Sequence, residues 1–175
     1  MNIIGLGKAG CKIAQSFEQY TQYTTYYIDT KNSYGEIKNF IKVKEQPKHE
    51  DYEKNYKPLK KLKEISGETT LILAGSGNIS GVVLRILEQL REEKITVLYI
   101  KPDMSTVSEE AIVKEKIVFG ILQQYARSNL IQRLYIVSNV RLEAVLGTVS
   151  IVDYWDNINK VVANTYHMLN VFENT

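Results

Sequence analysis

Six short apolar runs recur along the chain with amphipathic stretches between them, and their order leaves few folds open. The runs are "NIIG" at residues 2–5, "TTYYID" at 24–29, "KNFIKV" at 38–43, "TTLILAG" at 69–75, "KITVLYIKP" at 94–102 and "LIQRLYIVSN" at 130–139. Each is short, and most are rich in β-branched residues and tyrosine, so each reads as a strand. The intervening stretches have helical spacing. Residues 8–20 carry Cys11, Ile13, Ala14 and Phe17 on one face, and the lysine-rich 56–66 puts Leu59 and Leu62 on one side. Further helices are expected at 82–93, at 108–126 with Ser108 as N-cap and Glu109 and Glu110 over its positive end, at 140–147, and at about 151–171. Strand and helix alternate throughout, which predicts an α/β fold of three layers: a doubly wound, mostly parallel, Rossmann-like sheet with helices on both faces. Nothing reads as a linker or a repeat, so residues 1–175 are expected to form a single domain.

The first strand runs directly into "GLGKAG", with glycines at 5, 7 and 10. Glycines at this spacing strip a strand-to-helix turn of Cβ atoms, so that amides and a helix N-terminus can approach an anion closely. A plain turn would look the same, since the pattern alone is weakly specific. Asp29 ends the second strand, where a dinucleotide-binding domain places the carboxylate that holds a ribose. A second glycine and serine loop, "AGSGNISG" at 74–81, also links a strand to a helix. Two such loops facing one ligand suit a nucleoside polyphosphate. Bulk properties exclude other classes. A net charge of +2 is too small to imply nucleic acid or a membrane surface. No run has the length of a membrane span, and the cytoplasm is the expected location. One cysteine and two histidines leave neither a disulfide nor a clustered zinc site to expect.

From residue 94 onward the order of elements is more specific than any single motif. A strand, a long helix, "LYIVSN", the short helix "VRLEAVLG" and "VSIVDYWDNINKVVANTYHML" follow one another. This order resembles the tubulin/FtsZ superfamily over residues 1–172, where FtsZ has a strand, "IPN", "LLKVLG", "ISLLDAF" and an Asn-Asp pair on a long central helix. "GKAGCKIA" is similar to the first nucleotide loop of tubulin. The resemblance implies a GTP or GDP site, with Mg2+ as a companion of the phosphates, and self-association or a tubulin/FtsZ-like partner in a cytoskeletal filament. It assigns Gly5, Gly7, Lys8, Ala9, Gly10 and Cys11 to the first phosphate loop and Asp29 with Thr30 to the second. Gly75, Ser76, Gly77, Asn78, Ser80 and Gly81 stand for the family's glycine-rich phosphate signature. Asn139 and Asn159 fall near the ribose and base, and Trp155 lies where FtsZ stacks a phenylalanine on guanine.

The departures from the pattern bear on chemistry. Ile79 stands where the signature has small residues, and a branched side chain takes space that phosphate oxygens need. "KVKEQPKHEDYEK" has no glycine where the family senses the terminal phosphate. Lys160 replaces the aspartate that reads guanine, and lysine accepts no hydrogen bonds. The chain as given stops near the loop that carries the family's water-positioning acid, with the second, activation domain beyond it. The expected function is therefore nucleotide binding with weak or no hydrolysis and no catalytic residue assigned. Two alternatives stay open: a degenerate interaction protein that binds no nucleotide, and a small NAD-type module resting on Gly5, Gly7, Gly10 and Asp29. Cys11 and His167 read as core or half-exposed residues rather than as chemistry. The tyrosines at 20, 23, 26 and 27 mark a contact surface or core, and "KPLKKLKE" a solvated face or a site for an acidic partner.

Overall fold

A computed structural model describes residues 1–147, 150 and 152–175. The strands are β1 (Asn2–Leu6), β2 (Thr24–Asp29), β3 (Phe40–Lys42), β4 (Thr69–Ala74), β5 (Ile95–Lys101) and β6 (Arg133–Ser138). The helices are α1 (Gly7–Ser16), α2 (His49–Lys54), α3 (Val83–Gln89), α4 (Glu109–Arg127), α5 (Asn139–Leu146) and α6 (Tyr154–Glu173). Every pairing is parallel, and the strand order is β3-β2-β1-β4-β5-β6. This is the expected three-layer Rossmann-like fold.

Strand alternation sends neighbouring residues to opposite faces, and each face has its own core. Ile4, Leu71, Leu73, Val97 and Tyr99 point toward α3 and α4, where Ile86, Val118 and Leu122 meet them. Ile3, Ile72, Leu98 and Ile100 point the other way, onto Cys11 of α1, Phe17 just after it, and Ile158, Val162 and Tyr166 of α6. The central strands are buried on both sides, which is why their sequences are continuously apolar. Ser108 caps α4 as expected, its hydroxyl accepting from the Ala111 N–H at 3.2 Å, with Glu109 and Glu110 in the first turn.

Four expectations for local structure are corrected. The helix over 8–20 ends at Ser16, because the chain turns so that Tyr20 and Tyr23 pack edge-on around Phe17. No α-helix forms over 56–66. Pro58 disfavours helical backbone at the residue before it, Leu59 is extended, and only a 3-10 turn at Lys60–Glu64 remains. The helix over 82–93 shortens to Val83–Gln89, entered through a 3-10 turn at Asn78–Val82. The last helix starts at Tyr154, and Ile151, where it was expected to begin, lies outside the described residues. One helix, α2, was not expected. It is polar and buries only Tyr52, so it leaves no apolar periodicity to read.

Candidate functional site

Strand order reverses between β1 and β4, and in open parallel sheets the crevice beyond the carboxyl ends of the strands at such a point is the usual ligand site. A cleft of about 430 Å3 lies there. Lys8 and Lys12 of α1 form one wall, and Trp155, Asp156 and Asn159 at the start of α6 form the other. Ala74 and Ser76 after β4, with Ile100 and Pro102 after β5, lie between them, and Asn139 at the start of α5 completes the lining. Most of the remaining lining is apolar, from Ala9, Ile13, Ile158 and Val162. A larger groove of about 720 Å3 opens at the amino ends of β5 and β6, between α3 and α4. It is far from the strand-order reversal, and its mixed rim of Arg85, Glu88, Arg91 and Glu93 converges on nothing.

The cleft gathers Lys8, Ala9, Ser76, Asn139, Trp155 and Asn159 from the residues singled out in the sequence. Asn139 carries a buried side-chain oxygen with no hydrogen-bond partner among the described residues, a group that buried sites seldom leave unsatisfied. Trp155 is 59% exposed and stands edge-on to Tyr154. The Lys12 ammonium lies 5.6 Å from the Tyr34 ring centre, and among the described residues neither Lys8 nor Lys12 is ion-paired.

The other singled-out residues do not line this cleft, and the fold gives several of them a packing role. A Cβ on Gly5 would lie 2.6 Å from the Cys11 Cα, and one on Gly10 would overlap the Ile72 carbonyl of β4. Both glycines let α1 press onto the sheet. Gly7 has φ +68, and the place its Cβ would take is 2.8 Å from the Ile79 Cγ2. Ile79 thus covers the first glycine loop from the second, at the point where a phosphate would meet both. Cys11 is fully buried, its thiol donating to the Gly5 carbonyl at 3.3 Å, and burial pushes its pKa up to about 12. It is a packed thiol, not a reactive one.

Asp29 spends both oxygens inside its own loop. One accepts from the Thr30 N–H at 2.8 Å and the other from the Tyr34 hydroxyl. A Cβ on Gly75 would overlap the Tyr99 hydroxyl, which donates to the buried Glu115. Ser80 is buried and faces α2, its single hydroxyl proton lying within reach of the Gly75 and Gly77 carbonyls and its oxygen 3.0 Å from the His49 Nε2. A Cβ on Gly81 would collide with the His49 carbonyl. Asn78, like Asn139, has a buried and unpartnered oxygen, whereas Gly77 is exposed with open space around it. Sequence reasoning missed Lys12, Ile100, Pro102 and Asp156. Lys12, one turn after Lys8, was readable from helical spacing and Asp156 from its place beside Trp155; Ile100 and Pro102 join them only through the sheet.

Fold and cleft together place the chain in the class of Rossmann-like α/β proteins. No protein-family model matches it, and no curated protein does so either. Among the described residues no helix is long and apolar enough to cross a membrane, and no three His, Cys, Asp or Glu side chains are grouped to hold a metal.

Proposed function

We propose that the protein binds a nucleotide in this cleft, as a tubulin/FtsZ-like nucleotide-binding protein of GTP type that works in the cytoplasm through contacts with further copies of itself or with a tubulin/FtsZ-like partner, and with weak or no hydrolysis. One observation carries the reading: at the reversal of strand order, an apolar cleft has on one wall two lysines and on the other an exposed tryptophan, with the Asn139 oxygen between them, and among the described residues neither lysine is ion-paired and that oxygen has no partner. Lysines recognise phosphate as point charges, an indole stacks on a base, and an amide oxygen accepts from a sugar hydroxyl or base amine. Mg2+ would arrive on the phosphates with its own waters, since Asp156 is the one carboxylate among the described lining residues.

Ile79 over Gly7 favours a second reading, an interaction protein that kept the fold and lost the ligand. The NAD-type alternative is disfavoured because Asp29 is already committed to Tyr34 and Thr30. Calorimetric titration with GTP, GDP and NAD separates the three. The proposal expects saturable guanine nucleotide binding that changes Trp155 emission. Trp155→Ala should weaken it by about 1–3 kcal/mol, the worth of a base stacked on an aromatic ring. A protein that binds none of the three supports the second reading, and sedimentation with and without nucleotide tests self-association.

A further inference from the structure

The sheet edge formed by β3 concentrates the positive charge of the molecule. Residues 38–63 hold nine lysines against four carboxylates, so the rest of a chain whose net charge is +2 is net negative. Lysines on an edge strand blunt it against unwanted pairing, and most of these face water. Three of them do more. Lys42, Lys44 and Lys57 line a groove of about 320 Å3 between the β3 edge and the segment that follows α2, with Tyr52, Tyr56 and Leu59 supplying apolar surface. Among the described residues no carboxylate lines it. Among the described residues none of the three lysines is ion-paired, and the neighbouring Glu45 is 3.8 Å from Lys31 instead.

The backbone adds a second element of recognition. β3 bonds to β2 through the Asn39 carbonyl and the Val43 N–H, so alternation turns the N–H and C=O of Lys42 to the side away from β2. Among the described residues no strand lies on that side. Lys42 and Lys44 are two residues apart and so share one face of the extended chain.

We propose that this edge takes up an extended acidic peptide from a partner protein, added as a strand beside β3, with carboxylates at alternate positions meeting Lys42 and Lys44 and a further one meeting Lys57. Strand addition draws affinity from the main chain and specificity from alternate side chains, and both are supplied here. A peptide fits better than nucleic acid because Tyr52 is buried and Tyr56 is packed against the core beneath it, so neither stands out as a platform for bases. The site is on a different edge from the nucleotide cleft, and the inference does not depend on that reading.

The test uses the full chain and a fluorescein-labelled peptide of alternating Glu and Val, about eight residues long, an ordinary strand length. Anisotropy should show saturable binding that weakens with salt. Lys42→Glu with Lys44→Glu should weaken it roughly tenfold or more, as charge reversal at two contacts implies. The same peptide N-methylated at every second residue keeps its charge and loses main-chain bonding, and should bind the unaltered protein roughly tenfold more weakly as well. Equal binding of the methylated peptide would overturn strand addition without any variant having to fold. An oligonucleotide of matching charge that binds as tightly as the peptide would also overturn the proposal. So would absence of peptide binding, including the case in which the double variant alone stops the protein self-associating, which assigns the edge to a second copy.

Discussion

Gly10 and Gly77 look alike as members of glycine loops, yet the fold uses them in opposite ways. Gly10 lies where the first turn of α1 touches β4, and any Cβ there would overlap the Ile72 carbonyl, a backbone group in a central strand that cannot swing aside. Gly77 has open space around it and φ −83, which any residue adopts. Gly10→Ala should therefore destabilise by about 2 kcal/mol or more, the upper range for overpacking. Gly77→Ala should be neutral or stabilise by about 0.4–1 kcal/mol through the unfolded chain. Denaturant melts of the two variants check this, and a Gly10→Ala protein as stable as the parent would mean that α1 does not press on β4 as described. By the same contact Gly10→Val would strike β4 as well as any ligand, so it does not report on binding alone. Lys8→Ala and Lys12→Ala are the informative tests of anion binding, because neither residue holds the core together.

At the scale of elements, the strands and the two long helices were legible because burial imposes a period on them. The continuous apolar runs of β4 and β5 follow from burial on both faces, and the Ser108 cap with Glu109 and Glu110 follows from helix-end chemistry. What could not be read was α2, whose place is set by tertiary contact. His49 binds Ser80 while its carbonyl lies against Gly81, so a six-residue polar helix is held by a neighbouring loop rather than by its own sequence. This docking has a pH signature. Burial holds the His49 pKa below its ordinary 6.5, Lys114 lowers it further, and Glu50 and Glu53 oppose them. The folded state thus prefers the neutral ring. Below pH 6.5 the unfolded chain takes up a proton that the folded chain refuses, so this stability is present above 6.5 and is lost as pH falls from there through the folded-state pKa. Melting temperature followed from pH 7.5 to 5 should drop more for the parent than for His49→Gln, which can still reach Ser80. Parallel curves would show that His49 does not couple α2 to the loop. The candidate site was half legible for the same reason: Lys8, Asn139, Trp155 and Asn159 sit on readable motifs, whereas Ile100 and Pro102 meet them only once the sheet has formed.

Across the whole molecule, the groups that phosphoryl transfer to water would need are spread over separate structures. The reaction requires an oriented water and positive charge around the terminal phosphate. Asp156 is the only carboxylate among the described lining residues, and Lys8 and Lys12 are the only cations. His49 is engaged with Ser80 beside α2, on the α3 and α4 side of the sheet, and Asp29 is engaged with Tyr34. Of the segment 42–54, where the resemblance implied a loop on the terminal phosphate, His49–Lys54 fold into α2 against the 3-10 turn that follows β4. Ile79 occupies the approach to Gly7, where the end of a polyphosphate would meet both loops. Each group withheld in this way is of a kind worth roughly a hundredfold or more in rate when present. Binding needs fewer of them than turnover does. Phosphate release from GTP or ATP should therefore stay at the level of a protein-free blank, and the rate per molecule should not rise with protein concentration. A steep rise above a threshold concentration would show instead that neighbouring copies complete one another's sites, and a rise lost on Asp156→Asn would identify that carboxylate as the group that orients the water.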